Sequence, residues 1–202
     1  MIIGITGNTG TGKSLIADFF GGWGGFVISA DSIGWTVLQN RDIIRKIKEV
    51  FGNEIIRDEE VDRKRLGDIV FKDIEKLQQL NEIVHPVLLK MLKEAIGKID
   101  KDIVIVDAAL IYEWEIKDWF DCIILVVSRP HFIKSRLKRL GISGETINGK
   151  LKSQMNSEEA RKYADFIIEN NGSVEELRKE SRKVWERIVG EMNEAESALS
   201  SF

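Results

Sequence analysis

Short apolar runs alternate with longer stretches in which apolar residues recur at helical spacing. The runs are rich in β-branched residues and nearly free of polar ones, which predicts buried strands. Strands that alternate with helices predict a parallel sheet with helices on both faces. The predicted strands are Met1–Thr6, Phe26–Ser29, Ile103–Asp107, Cys122–Val127 and Phe166–Glu169.

The stretches between these strands carry apolar residues three and four positions apart, as amphipathic helices do. Pro86 and Pro130 each suit the first position of a helix, where the missing N–H has no consequence. The segment from about Arg41 to Ile99 is expected to be helical and free of strands, and the tail Glu194–Phe202 is expected to fray. The predicted helices are Lys13–Phe20, Asp31–Gln39, Arg41–Phe51, Arg63–Phe71, Ile74–Val84, Pro86–Ile96, Gly144–Met155 and Ser173–Val189.

Composition narrows the class of protein. The 202 residues include 30 basic and 33 acidic side chains, with 43% hydrophobic residues, which suits one α/β domain or a core with inserted subdomains. A single cysteine excludes an internal disulfide, and two histidines argue against a multi-histidine metal centre. No run approaches the roughly 18 apolar residues of a membrane span, and no signal peptide is evident. We expect a cytoplasmic protein without nucleic-acid or membrane partners, since its charge is mildly acidic.

The segment Gly7–Ser14 carries the clearest chemistry. Its sequence GNTGTGKS matches the phosphate-binding loop G-x-x-x-x-G-K-[ST], between a predicted strand and a predicted helix. The glycines let backbone N–H groups turn toward phosphates, Lys13 can reach the β- and γ-phosphates, and the Ser14 hydroxyl can bind Mg²⁺. The motif predicts that a nucleoside triphosphate is bound by Asn8, Thr9, Gly10, Thr11, Gly12, Lys13 and Ser14.

Two aspartates follow predicted strands and have two interpretations each. Asp107 ends the third strand, where it could bind Mg²⁺ near the phosphate loop or cap a following helix. Asp31 follows the second strand, where it could accept a proton from an attacking hydroxyl or serve as a helix N-cap. Local spacing alone leaves both interpretations of Asp31 open.

A basic segment, Arg129–Lys152, holds seven basic residues and one acidic residue. Such a cluster is either a solvated helix face or a segment that closes over phosphates. Arg139 could offset the charge on the transferring phosphoryl group, with Arg136 nearby to assist. By its sequence context alone, His85 could simply mark a helix start before Pro86.

Several motifs together resemble the dephospho-coenzyme A kinase family. The phosphate loop is shared by very many proteins. Far more specific to this family is the segment LNEIVHP, which follows VDRKRLGDIVF and precedes VDAALIYEW. In order and spacing, the matching motifs extend to about Ser173. They are GITGNTGTGKS (4–14), ISADSIG (28–34), VDRKRLGDIVF (61–71), LNEIVHP (80–86), VDAALIYEW (106–114) and SQMNSEEARKYADFIIENNGS (153–173).

The resemblance implies a fold and a reaction. The fold is an α/β, P-loop core like that of nucleoside-monophosphate kinases, with a five-stranded parallel sheet, a helical substrate-binding domain and a lid. The reaction is phosphorylation of the ribose 3′-hydroxyl of dephospho-coenzyme A by ATP and Mg²⁺, the last step of coenzyme A synthesis. We expect the core at 1–40, 100–128 and 160–190, the substrate-binding domain at 41–99 and the lid at 129–159.

The resemblance also assigns residues. Asp31 matches the family's catalytic aspartate, and Arg139 matches its lid arginine. Together with Lys13 of the phosphate loop, they are the expected catalytic residues. The expected substrate-binding residues are Asp31, Arg63, His85, Asp107 and Glu113, and the expected metal ligands are Ser14 and Asp107.

The chain departs from the family pattern at a few positions. Ser29 stands where an aspartate is common, Gly34-Trp35 replaces a common basic residue, and Lys150 replaces a lid arginine. Arg136 and Arg139 are three positions apart, where the family usually has four.

Two rival functions follow from the phosphate loop alone: a kinase for another small molecule, or a nucleotide-dependent switch or regulatory ATPase. The absence of a guanine-reading N-K-x-D motif weakens a GTPase switch.

Overall fold

A computed structural model of the chain describes the backbone of residues 1–199 and the side chains through residue 194. The strands are β1 (Ile2–Thr6), β2 (Phe26–Ser29), β3 (Ile56–Arg57), β4 (Glu60–Val61), β5 (Val104–Asp107), β6 (Cys122–Val127) and β7 (Phe166–Glu169). The helices are α1 (Lys13–Gly22), α2 (Ala30–Val37), α3 (Arg41–Phe51), α4 (Arg63–Val70), α5 (Ile74–Gly97), α6 (Pro130–Arg139), α7 (Gly144–Lys152), α8 (Ser157–Ala160) and α9 (Val174–Leu199). Short 3₁₀ helices cover Asn53–Ile55, Lys117–Trp119 and Arg161–Tyr163.

The chain divides into two compact units. The first unit comprises Met1–Ile28, Asp100–Ile133 and the chain from Met155 onward, and the second comprises Ser29–Ile99 and Lys134–Gln154. None of the helices in the described part of the chain combines the length and apolarity needed to cross a bilayer.

The sheet of five strands has the order β2-β5-β1-β6-β7. β1 pairs in parallel with β5 and with β6, and β6 pairs in parallel with β7. The strands β5 and β6 are buried along their whole length, as continuous apolar runs in a parallel sheet require. The predicted α/β architecture with a five-stranded parallel sheet is therefore confirmed.

The main hydrophobic core of the first unit lies where α1 and α9 pack together against the sheet. Phe20 of α1 is completely buried and meets Trp185 of α9 edge to face, with ring centroids 5.1 Å apart. Ile5 of β1 and Ile124 of β6 belong to the same cluster and are also completely buried. This packing fixes the strand that leads into the phosphate loop and the helix that leaves it.

The second unit is built from helices, and α2 packs along α5. Gly34 lies at this contact, where a Cβ would lie 3.3 Å from the Leu88 side chain and require it to shift slightly. Ile43 and Ile47 of α3, Leu66 of α4 and Leu92 of α5 are buried in this unit.

The expectation that the segment 41–99 contains no strand is wrong. β3 and β4 form a two-stranded antiparallel hairpin, with Ile56 opposite Val61. Its turn residues Asp58 and Glu59 have φ values of 52° and 65°, which usually require Gly or Asn. The sequence carries no Gly in this turn, so the usual hairpin signal is missing.

Several helix boundaries also differ from those expected; α7, for example, ends at Lys152 rather than at Met155. Pro86 does not start a helix but lies inside the continuous helix α5. Proline deprives one carbonyl of its donor, but the rest of the long helix is stabilised by its packing on α2, α3 and α4. The expected fraying from Glu194 is wrong as far as Leu199, where α9 ends, and residues 200–202 lie outside the described residues.

The core makes a prediction about Cys122, the only cysteine of the chain. Burial, with smaller contributions from Asp165, Glu191 and Asp121, raises the pKa of its thiol to about 12, so almost no thiolate exists at pH 8. We expect iodoacetamide to alkylate native protein far more slowly than urea-unfolded protein, as followed by mass spectrometry. The unfolded chain should take up one label, and equal rates for the two states would contradict a buried β6.

Candidate active site

The loop between β1 and α1 folds around left-handed glycines. Gly7, Gly10 and Gly12 have φ values of 134°, 83° and 103°, which residues with a Cβ rarely adopt. A Cβ at Gly7 would also collide with the Val126 carbonyl oxygen, and one at Gly12 would collide with the Asn170 side-chain amide. Glycine is therefore required at both ends of this loop for conformation and for space.

Three donors of the loop converge on the carbonyl oxygen of Asn8. The Thr11 N–H lies 3.2 Å away, the Thr11 hydroxyl 2.8 Å and the Lys13 ammonium 3.3 Å. Lys13 is only 9% exposed. The geometry is that of a closed anion-binding turn at the positive end of α1, which can receive nucleotide phosphates.

Asn170, which lies outside the phosphate-loop motif, contacts this loop through a hydrogen bond. Its side-chain amide donates to the Thr11 carbonyl at 2.7 Å, and its own N–H donates to the Val127 carbonyl at 2.8 Å. The residue is only 6% exposed, at the end of β7. Nothing local marks it, because its partner lies 159 positions away; its place in the ENNGS part of the resemblance was the available signal.

Ser14 and Asp107 provide the oxygen ligands expected for Mg²⁺. Ser14 lies exposed in the first turn of α1, and Asp107 ends β5 opposite Ile5, just before the loop. A hydroxyl and a carboxylate are the hard ligands that Mg²⁺ binds together with phosphates and water. Within residues 1–194, no group of three or more His, Cys, Asp or Glu side chains could hold a metal by itself. These residues therefore suit an ion that arrives with a nucleotide.

The structure excludes the helix-cap interpretation of Asp107. The chain after β5 runs through turns rather than into a helix, so there is no helix start for this carboxylate to cap.

The structure also excludes the N-cap interpretation of Asp31. Ser29 is the N-cap of α2, and its hydroxyl accepts a hydrogen bond from the Ser32 N–H at 3.2 Å. Asp31 lies one position inside the first turn, with an exposed side chain. The serine that departs from the family pattern thus performs the capping, and the Asp31 carboxylate has no such structural task.

Lys150 of α7 belongs to the surroundings of Asp31 in the second unit. Burial lowers the pKa of this lysine, and the Asp31 carboxylate opposes the shift by favouring the charged ammonium. The ammonium also lies 4.8 Å from the centre of the Phe71 ring. Gly149 fixes this approach, since a Cβ there would collide with the Phe71 carbonyl oxygen.

The other predicted residues are distributed over both units. Arg63 is the first residue of α4, and Arg139 is exposed at the end of α6, three positions after Arg136. Burial, and then the charge of Arg139, lower the pKa of Arg136. His85 lies inside α5 rather than at a helix start, and burial lowers its pKa. Glu113 accepts a hydrogen bond from the Met155 N–H at 2.7 Å.

Each unit therefore collects part of the predicted site. In the first unit, the phosphate loop, Ser14 and Asp107 occur at the carboxyl ends of neighbouring strands, and Glu113 follows in the segment after β5. In the second unit, Asp31 and Arg63 lie at the starts of α2 and α4, while His85 and Arg139 lie on α5 and α6.

Comparison with known proteins identifies the family. The model of the dephospho-CoA kinase family matches residues 1–176. The chain belongs to the dephospho-CoA kinase family. A dephospho-CoA kinase of Aquifex aeolicus is 37% identical over 93% of this chain and 97% of its own length. One of Thermus thermophilus is 31% identical over 94% and 93%.

Solved structures agree with membership of the dephospho-CoA kinase family. A protein of Thermus thermophilus superposes with a TM-score of 0.75 at 31% identity, over 93% of this chain and 97% of that protein. The dephospho-CoA kinase of Campylobacter jejuni gives a TM-score of 0.59 at 28% identity, over 93% and 96%. A shikimate kinase of Acinetobacter baumannii, at 15% identity and a TM-score of 0.52 over 94% and 93%, shows only that the P-loop kinase fold is shared.

The contact between Asn170 and the loop makes a prediction. Asn170→Asp replaces the donor to the Thr11 carbonyl by a carboxylate oxygen, which repels that carbonyl. We expect the free energy of unfolding to fall by about 1–3 kcal/mol and the affinity for ATP to fall about tenfold, measured by urea unfolding and calorimetry.

Asn171→Asp is the matched control. The Asn171 side-chain oxygen accepts from the Arg129 N–H at 2.8 Å, and aspartate keeps that acceptor. The substitution loses only an exposed contact at 3.3 Å, from the Asn171 amide to Glu169. Equal ATP affinities for the two variants would show that Asn170 does not shape the loop.

Proposed function

We propose that this protein transfers the γ-phosphoryl group of ATP to the ribose 3′-hydroxyl of dephospho-coenzyme A, giving coenzyme A and ADP. The observation that carries the proposal is the match of the dephospho-CoA kinase family model to residues 1–176. A phosphate loop with closed, anion-binding geometry supports it. The proposal includes the cytoplasmic location expected from the sequence.

In the proposed reaction, the loop binds the donor. The loop from Asn8 to Ser14 and the N-terminus of α1 hold the phosphates through backbone N–H groups other than that of Thr11, which closes the loop on the Asn8 carbonyl. Lys13 exchanges its contact with the Asn8 carbonyl for the β- and γ-phosphate oxygens. Ser14 and Asp107 would hold Mg²⁺, which neutralises charge on the phosphate oxygens when it is bound. Thr9, Gly10, Thr11 and Gly12 contribute through the backbone.

The acceptor side of the proposal depends on Asp31. Its carboxylate takes the proton of the 3′-hydroxyl as the oxygen attacks the γ-phosphorus in line, and the bond to the β–γ bridging oxygen breaks to release ADP. Arg139 offsets the charge on the transferring group, and Arg63, His85, Asp107 and Glu113 bind the substrate. The Asp31 carboxylate is well suited to this task, because it is exposed and does not cap a helix.

The domain roles are part of the same proposal. Segments 1–40, 100–128 and 160–190 form the nucleotide-binding core, 41–99 the substrate-binding domain and 129–159 the lid. The basic residues of the lid then exclude water that would otherwise hydrolyse ATP.

One assay tests the proposed function. The purified protein is incubated with Mg-ATP and dephospho-coenzyme A, and the acceptor is analysed by mass spectrometry beside a panel of nucleosides, nucleotides and small alcohols. We expect an acceptor product one phosphate heavier with dephospho-coenzyme A and little ATP hydrolysis without it. Transfer to another acceptor, or rapid hydrolysis with none, would refute the proposal.

The role of Asp31 makes a prediction. Asp31→Asn keeps the size of the side chain but removes the proton acceptor, so we expect kcat to fall by roughly 10²–10⁴-fold. The melting temperature should hardly change, because Ser29 caps the helix. Steady-state kinetics and thermal unfolding measure the two effects.

Asp42→Asn is a matched control, since Asp42 occupies the same position in the first turn of α3, after the N-cap Asn40. Its turnover should stay within twofold of the parent. If Asp31→Asn and Asp42→Asn behave alike, another group must activate the hydroxyl.

A further inference from the structure

An exposed tryptophan of the second unit lies against the guanidinium of an arginine. Trp35 of α2 keeps 43% of its surface exposed, although large apolar side chains are usually covered. The guanidinium carbon of Arg63 lies 3.9 Å from the centre of its ring, well inside the range of a cation–π contact. The indole therefore restrains the position of this guanidinium.

The pair lies on the face of α2 that carries Asp31. Residues four positions apart in a helix are neighbours on one face, so Asp31 and Trp35 point to the same side of α2. Gly34, one position before Trp35, lies close to the Leu88 side chain of α5. Trp35 thus brings the Arg63 guanidinium to the side of the helix where the proposed base is located.

The starting point of Arg63 is equally well fixed. It is the first residue of α4, whose N-cap Asp62 accepts from the N–H groups of Lys64 and Arg65, both at 3.1 Å. Val61, the last residue of the hairpin and two positions before Arg63, is buried and pairs with Ile56. The Arg63 backbone is thus held in place, and the contact with Trp35 restrains its long side chain.

The two arginines of α4, Arg63 and Arg65, make different contacts through their guanidinium groups. Arg65 forms an ion pair with Asp62 at 3.5 Å and donates to the Glu54 carbonyl at 2.9 Å. Within residues 1–194, the structure gives Arg63 no hydrogen bond and no ion pair besides its contact with Trp35. Arg63 is exposed and its guanidinium carbon lies over the indole, so its N–H groups can still make a planar or bidentate anion contact.

We propose that Trp35 is a positioning residue of the acceptor site, which holds the Arg63 guanidinium so that its N–H edge binds the diphosphate of dephospho-coenzyme A. The inference rests on the proposed function and deepens it. A diphosphate is present in the acceptor and also in ATP. The position of the pair beside Asp31, which acts on the acceptor, favours the acceptor as the source.

The test combines Trp35→Leu, Trp35→Phe, Arg63→Ala and the double variant Trp35→Leu/Arg63→Ala. For each, calorimetry measures the affinity for dephospho-coenzyme A without ATP, and steady-state kinetics measure KM for each substrate and kcat. We expect Trp35→Leu to weaken dephospho-coenzyme A binding about two- to fivefold, with the defect on its KM rather than on kcat. Trp35→Phe should restore most of the affinity, because it keeps an aromatic face.

The double variant separates positioning from a direct contact. If Trp35 acts through Arg63, the double variant should bind dephospho-coenzyme A no more weakly than Arg63→Ala alone. Arg65→Ala is the matched control, and its affinity for dephospho-coenzyme A should equal that of the parent.

Three results would overturn the inference. One is unchanged affinity in Trp35→Leu while the parent transfers phosphate normally, which leaves the proposed function standing. The second is a raised KM for ATP alone, which would show that Arg63 binds the phosphates of ATP rather than those of the acceptor. The third is a parent protein that neither binds nor phosphorylates dephospho-coenzyme A, which refutes the proposed function and the inference together.

Discussion

The convergence of three donors on one carbonyl oxygen is the constraint on which the candidate site depends. The Asn8 carbonyl receives the Thr11 N–H, the Thr11 hydroxyl and the Lys13 ammonium, so the loop is closed around its own backbone. This turn is possible only because glycines supply the left-handed corners. A preformed loop avoids the entropic cost of ordering its amides when an anion binds.

Capping determines which carboxylate is available for chemistry. At the start of α2, a serine hydroxyl satisfies the Ser32 N–H, and the aspartate two positions after the cap keeps its oxygens toward solvent. Each of the helices α3, α4 and α5 instead uses an Asn or Asp side chain as its cap, bonded to two N–H groups. The start of α2 is thus arranged so that capping and the proposed proton transfer do not compete for one side chain.

Local signals predicted the elements around the phosphate loop well. β1, the loop and α1 follow each other within 22 residues, and their apolar runs and glycines are all contiguous. What the sequence did not reveal depends on distant partners or on context. Asn170 reaches Thr11 across the fold, the turn at Asp58 and Glu59 lacks glycine, and Pro86 is tolerated inside a helix that packs on three others. Such features become visible only when the chain is folded.

The contact between Gly149 and Phe71 restricts how this segment of the protein can evolve or be redesigned. The backbone of α7 lies directly against the Phe71 carbonyl, so position 149 accepts no side chain, whereas Gly144 in the same helix faces open space. Diversification of α7 toward a different acceptor can therefore use its exposed positions but not this one. A library that randomises position 149 would need compensating changes around Phe71, which makes the two positions a coupled pair.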